Sequence, residues 1–177
     1  MEIAVFQLPA DHAPLLESAR LLQRPLRSTH ARILYPLLAD VRLHEFTGGD
    51  PPESEAALTE LLRFREQRRS PDGQEIWLNW LIEHKTGGQP LGYSQSTVCQ
   101  DHAHVAWVIG TEWQGQGFAG EAARALVAWL LEQGVPEVRA CVHPAHVASQ
   151  RVAAFAGLVR TEDMEDGEEV WVIRGSA

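Results

Sequence analysis

The spacing of apolar and polar residues changes several times along the chain, and each change marks an element. Ala10–Leu16 opens without a defined period, and Arg20–Leu26 then reads as a short strand ended by Pro25 and the polar Ser28-Thr29 pair. His30–Ala39 has helical spacing, with Pro36 expected to kink or interrupt it because proline lacks the N–H. After the loop Thr47–Pro52, Ser54 is placed to cap a helix through Gln67, with Ala57, Leu58, Leu61, Leu62 and Phe64 on its apolar face. Pro71-Asp72-Gly73 stops that helix.

The period then shortens to two. Glu75–His84 and Leu91–Val98 read as a hairpin about Thr86–Pro90, and His102–Ile109 as a third strand. In that strand His102, His104, Ala106 and Val108 share one face, opposite Ala103, Val105, Trp107 and Ile109. Beyond Gly117 the helical period returns, with Ala122, Ala125, Leu126, Trp129 and Leu130 forming one stripe that ends at Gly134 and Pro136. Val138–Val142 follows as a strand, then Val147–Ala156 as a helix with Val152 and Phe155 on one side. Gly157 stands at the C-cap, and Leu158–Thr161 and Val170–Ile173 make a last strand pair around the acidic turn Glu162–Glu169.

Composition narrows the class without choosing a function. The 177 residues suggest one domain, 1–177, and 45% hydrophobic with 22% charged residues is ordinary globular content. A net charge of −9 argues against broad nucleic-acid binding, and Arg63, Arg65, Arg68 and Arg69 alternate with acids as a solvated helix face does. No apolar run reaches membrane-spanning length and no secretory signal is read, so the expected location is the cytoplasm. Cys99 and Cys141 are too few for a disulfide framework, and each is expected as a small buried residue.

The chemistry centres on a strand, a glycine-rich turn and a helix: Val105–Ile109, Gln114–Ala119, Glu121–Leu131. Glycines there let a ligand approach the backbone, and unpaired N–H groups at the helix start attract anionic oxygens. A phosphate site and a plain tight turn both satisfy this reading. A P-loop does not, because Gly120 is followed by Glu121-Ala122 where lysine and a hydroxyl are required. Gly115, Gly117 and Gly120 have the dinucleotide-fold spacing, yet they follow strands in hairpin order rather than the first strand of a βαβ unit.

Gln114-Gly115-Gln116-Gly117-Phe118-Ala119 resembles the acetyl-CoA motif of the GNAT superfamily, [Gln/Arg]-x-x-Gly-x-[Gly/Ala], with Gln114, Gly117 and Ala119 at its defining positions. Val105–Trp113 resembles the strand before that loop, and His143–Leu158 resembles the family's next motif. Arg20–Leu26 is similar to the opening strand of the branch that includes ribosomal-protein N-terminal acetyltransferases. The resemblance implies an α/β fold with a mixed, mostly antiparallel twisted sheet flanked by helices. It also implies acetyl-CoA as cosubstrate and direct attack by a primary amine, with no acyl-enzyme.

Site residues follow from the resemblance. Main-chain groups of Trp107, Val108 and Ile109 would hold the pantetheine and acetyl carbonyl, and Gln114, Gly115, Gln116, Gly117, Phe118, Ala119 and Gly120 the pyrophosphate. An amine must be neutral to attack, and relatives often carry a glutamate where this chain has His104, so His104 is the candidate base. A satisfied strand histidine or a substrate contact is the plainer role for it. His102, Glu83 and Glu112 are lesser candidates for the base, and the surface is the expected place for each. Many members place a tyrosine at the position of Ala153, leaving Ser149 as the candidate acid, with helix capping or a coenzyme hydrogen bond as its other roles. His146, where many have asparagine, would contact the coenzyme or cap the helix.

No metal site is expected, since neither His143/His146 nor His102/His104 has further ligands at zinc spacing. The tryptophans read as core, with Trp77 or Trp80 as alternatives for an acceptor pocket. The partners implied are acetyl-CoA and an amine, with a homodimer common among similar proteins. A non-catalytic acyl-CoA-binding or regulatory module on the same fold is the second reading, and a structural interaction domain the third.

Overall fold

The computed structural model describes residues 8, 13–47 and 49–175, so part of the Ala10–Leu16 segment lies outside the described residues. In chain order the elements are β1 (Leu16–Glu17), β2 (Leu21–Pro25), α1 (Ala31–Leu38), α2 (Glu55–Arg65), β3 (Ile76–His84), β4 (Pro90–Val98) and β5 (Ala103–Ile109). They continue with α3 (Phe118–Glu132), β6 (Glu137–Val142), α4 (Val147–Phe155), β7 (Val159–Glu165) and β8 (Glu168–Arg174). The strands form one sheet in the order β1-β2-β3-β4-β5-β6-β8-β7, antiparallel throughout except for the β5–β6 pair. The mixed, mostly antiparallel α/β class is as expected.

Each sheet face carries its own core. On one, Leu78, Trp80, Ala103 and Val105 pack with Ala123, Leu126, Val127 and Leu130 of α3. On the other, Leu81 packs with Leu34 and Leu38 of α1 and Leu58 and Leu62 of α2. The alternation of Leu78 and Trp80 against Leu81 is the period of two expressed as burial. Trp80 is fully buried and its Nε1 donates to the Pro14 carbonyl at 2.7 Å, so it lines no acceptor pocket.

Local chemistry explains most boundaries. Ser54 Oγ accepts from the Ala57 N–H at 3.0 Å and starts α2 where expected. Leu61 and Phe64 are exposed, so the buried stripe of α2 is narrower than its apolar count suggested. Helix α1 runs through Pro36. In an eight-residue helix the missing N–H removes only the bond to the Arg32 carbonyl, and burial of Leu34 and Leu38 offsets it. In α4 the buried residue is Ala153, while Phe155 is exposed and lies along α3, where a Cβ at Gly120 would come within 2.9 Å of its ring.

The last hairpin corrects the acidic-turn reading. β7 and β8 extend into that segment and leave a two-residue turn, Asp166 (φ 49°) and Gly167 (φ 84°). Positive φ at both central residues matches the right-handed twist of a hairpin, and Asp-Gly suits it. The polar, exposed β7 has no apolar alternation that could have marked it.

Gly92 shows how tightly β4 and β5 approach. A Cβ there would lie 1.9 Å from the Val108 carbonyl oxygen, a backbone atom with no rotamer to escape into. Gly92→Ala is therefore expected to cost about 3 kcal/mol, the upper part of the overpacking range, measured by denaturant unfolding. A change below about 1 kcal/mol would contradict that contact.

Candidate active site

The sheet opens between its two parallel strands. β5 and β6 pair only at Ala103↔Val138 and His104↔Arg139, although β5 continues to Ile109 and β6 to Val142. Beyond His104 they part and leave a wedge. The Gly110 N–H donates to the Leu91 carbonyl of β4 at 2.8 Å. By strand alternation Val108 and Ala106 also face β4, whereas Trp107 and Ile109 turn their main-chain groups to the wedge. Two of the three expected residues thus present backbone there. Val108 differs: it pairs with Tyr93 of β4, and what it brings to the site is its side chain.

The glycine-rich turn stands at one end of this wedge. Gln114 Nε2 donates to the Ile109 carbonyl at 2.9 Å and ties the loop to the strand end. Gly115 (φ 75°) and Gly117 (φ 83°) adopt left-handed backbone that disfavours a Cβ, and Gly117 immediately precedes α3. The first return bond of the helix runs from the Glu121 N–H to the Gly117 carbonyl at 3.1 Å. The N–H groups of Phe118, Ala119 and Gly120 come before it, at the positive end of the helix dipole.

Arg20 adds a formal charge that sequence reading missed. Its guanidinium donates to the Gln116 carbonyl at 3.0 Å and to Glu121 Oε2 at 2.7 Å, and lies 4.4 Å from the Phe118 ring centroid. Burial acts to raise the Glu121 carboxyl, but hydrogen bonds from Arg20 and Ser18 outweigh it and hold the pKa below the ordinary value. Arg20 and the loop are far apart in sequence, so no local pattern could link them.

At the other end lies a cavity of about 460 Å³. Tyr93, Gln95, Ala106 and Val108 form its floor, Phe46 and Leu61 a wall, and Trp107, Cys141, His146 and Ser149 its margin at the wedge. Trp107 Nε1 donates to Ser149 Oγ at 3.1 Å, so the hydroxyl accepts there and keeps its own proton for a second partner. Ser149 is therefore held by the strand on which the thioester was expected. Trp77 lines a different, smaller cavity beside α2.

His146 is the N-cap residue of α4, where its carbonyl accepts from the Gln150 N–H at 3.1 Å while its side chain makes no capping bond. Its ring stacks on Phe46, 4.6 Å apart and 19° from parallel. Burial, then the neighbouring His143, lowers its pKa below the ordinary 6.5. The unfolded chain therefore binds the extra proton more readily, so the stability this group contributes is full above pH 6.5 and declines as pH falls below it. His146→Phe, which keeps the stack without the titration, is expected to narrow the loss of thermal midpoint between pH 7.5 and pH 5.5. An identical loss in both proteins would reject this role.

His104 is partly buried on the cavity's side of the sheet, but it is not among the residues that line the cavity. Its ring lies 4.8 Å from that of His102, and burial, then His102, lowers its pKa. His102 is partly buried and bonds Asp101 at 2.6 Å rather than standing free in solvent. Glu83 pairs with Arg24 at 2.6 Å, and Glu112 is exposed. The cavity's own carboxylates, Asp50 and Glu168, carried no sequence signal. Cys141 lines the cavity as a thiol. Burial, then the nearby Glu165 and Glu168, pushes its pKa up to about 11, which removes it as a nucleophile.

A glycine-rich helix start, the gap between β5 and β6 and a cavity thus lie together along one edge of the parallel strand pair. The model of the acetyltransferase (GNAT) domain matches residues 20–159, and the chain belongs to that family. No curated protein sequence matches it. Among solved structures it is similar to a GNAT-family acetyltransferase from Bacillus anthracis, at TM-score 0.73 and 16% identity over 91% of this chain and 98% of that one. It is also similar to RimL, a ribosomal L7/L12 alpha-N-protein acetyltransferase in complex with coenzyme A, at TM-score 0.76 and 14% identity over 92% and 98%. AAC(6')-Ib in complex with paromomycin and acetyl-CoA aligns at TM-score 0.70 and 20% identity over 88% and 94%. Among the described residues no helix is long and apolar enough to cross a membrane.

Proposed function

We propose that this chain moves an acetyl group from acetyl-CoA to the primary amine of a small molecule or protein N-terminus, by direct attack in a ternary complex. The observation that carries this reading is the parting of β5 from β6 after His104, which leads from the α3 N-terminus into the cavity. The N–H groups of the Gly115–Gly120 bend, with Arg20 beside them, hold the pyrophosphate. The Trp107 and Ile109 main chain holds the pantetheine and polarises the acetyl carbonyl. RimL and AAC(6')-Ib, each with its coenzyme, support the ligand's class.

The acceptor amine occupies the cavity and attacks the carbonyl carbon. Ser149 donates its proton to the departing thiolate, and His104 receives the amine's proton through water. His104→Ala is expected to lower kcat about 100-fold with coenzyme affinity unchanged. An unaltered kcat would remove it from that role.

Coenzyme A release, measured with aminoglycosides, polyamines and peptides bearing free N-termini, tests the whole reading. Turnover on at least one amine is expected. Binding of acetyl-CoA with no turnover would favour the non-catalytic module, which Ala153 supports by offering no hydroxyl at the family's tyrosine position. Absence of acetyl-CoA binding would overturn both. A cytoplasmic setting and a homodimer belong to the same reading, tested by fractionation and by light scattering.

A further inference from the structure

Three strands bring together a histidine, a cysteine and a glutamate that sequence spacing kept apart. His104 of β5, Cys141 of β6 and Glu165 of β7 offer ligand atoms that all lie within 4.8 Å of one another. They are the one such group among the described residues. The register explains the meeting: His104 pairs with Arg139, two residues before Cys141, and Glu165 pairs with Glu168 at the β7–β8 turn. Residues two apart on a strand share a face, so imidazole, thiol and carboxylate project to the side that carries the cavity.

We propose that His104, Cys141 and Glu165 form a binding site for a divalent transition metal, zinc by preference, with a fourth position open toward the cavity. A thiolate, an imidazole and a carboxylate suit zinc better than a hard cation, and three protein ligands with one open position is a known zinc arrangement. Tetrahedral zinc with bonds of about 2.0–2.3 Å brings its ligands closer than they now stand. Glu165 is exposed beside the Asp166-Gly167 turn and has the freedom to close the gap. The surroundings favour a dication. Glu168 stands across from Glu165, while Arg139 is already engaged by Glu137 at 2.5 Å and His102 by Asp101. On binding, the Cys141 S–H loses its proton to water and the sulfur bonds the metal.

The consequence is an inhibitory site. Cys141 and Glu168 line the cavity, so a metal at Cys141, its two charges offset by the Cys141 thiolate and the Glu165 carboxylate, cancels negative charge beside the wall that receives the amine. It also engages the His104 nitrogen that would accept the amine's proton. The inhibition rests on the proposed transfer reaction, whereas metal binding does not.

The whole chain, freed of metal, is titrated with cobalt and zinc. Cobalt is expected to give a thiolate-to-metal charge-transfer band in the near ultraviolet, at one metal per chain, that is absent in Cys141→Ala. Competition with a chromogenic chelator is expected to show zinc affinity at least about tenfold weaker in Glu165→Gln, since even outer-shell changes cost that much. The exposed Glu165 keeps this arm valid if Cys141→Ala fails to fold. A cobalt complex without the thiolate band, or zinc affinity unchanged in both variants, overturns the site and assigns binding to other histidines. Where an amine is acetylated, zinc should inhibit the native chain, and Glu165→Gln should need at least about tenfold more zinc with its metal-free rate unaltered. Failure of every amine to react would strike the transfer reaction and leave the two titrations to decide the site.

Discussion

Gly117→Glu is expected to raise the dissociation constant for acetyl-CoA at least about 100-fold, equivalent to about 2.8 kcal/mol. Three effects act together. The new carboxylate occupies the space before the α3 N–H groups and repels a phosphate there. It also draws on Arg20, whose Nη2 lies 3.4 Å from where the Cβ would stand. The left-handed φ of 83° adds a conformational cost of about 1–2 kcal/mol. Gly117→Asn separates these effects, because asparagine tolerates left-handed backbone and brings no charge. Its affinity is expected to stay within about tenfold of the native value. Isothermal titration reads both variants, with thermal unfolding to show that each is folded. Undiminished affinity in the glutamate variant would refute the anion-site assignment.

Ser149→Ala is expected to lower kcat about 100-fold, the scale of losing a positioned proton donor, with little change in KM for acetyl-CoA. The reason is geometric. The Trp107 indole fixes the hydroxyl from one side at 3.1 Å, and the same strand presents the wedge in which the thioester would lie. Ser149→Thr keeps the oxygen and is expected to recover part of the rate. Full activity in the alanine variant, or a KM effect alone, would show that Ser149 only helps to place the coenzyme.

The two variants probe parts of the site that differ in how far the sequence revealed them. The loop's shape could be read directly, because an N-terminal helix end needs only neighbours in the chain: Gln114, the two left-handed glycines and the first turn of α3. The choice of a phosphate site over a tight turn came from the resemblance. Ser149 could be proposed only through a resemblance, since nothing within four residues of it fixes its hydroxyl. The contact that holds that hydroxyl comes from Trp107 on β5. Arg20 went unrecognised for the same reason, and so did Asp50 and Glu168, which enter the cavity from separate loops and strands. His146 shows the converse. Its place before α4 was right, but its ring serves a stack on Phe46 that no local rule anticipates.

By itself, the order of residues determined the period of most elements, though not of β1 or β7, together with the cap at Ser54, the meander from β3 to β5 and the glycine-rich helix start. Those features arise from interactions spanning a few residues, where side-chain volume, backbone freedom and dipole direction suffice. Tertiary structure alone decided that β5 and β6 separate after two pairs and that Cβ-free Gly92 lets β4 meet Val108. It also decided that a histidine, a cysteine and a glutamate from three strands converge. These depend on sheet register and twist, which are set by the packing of two cores at once and leave no trace in local spacing.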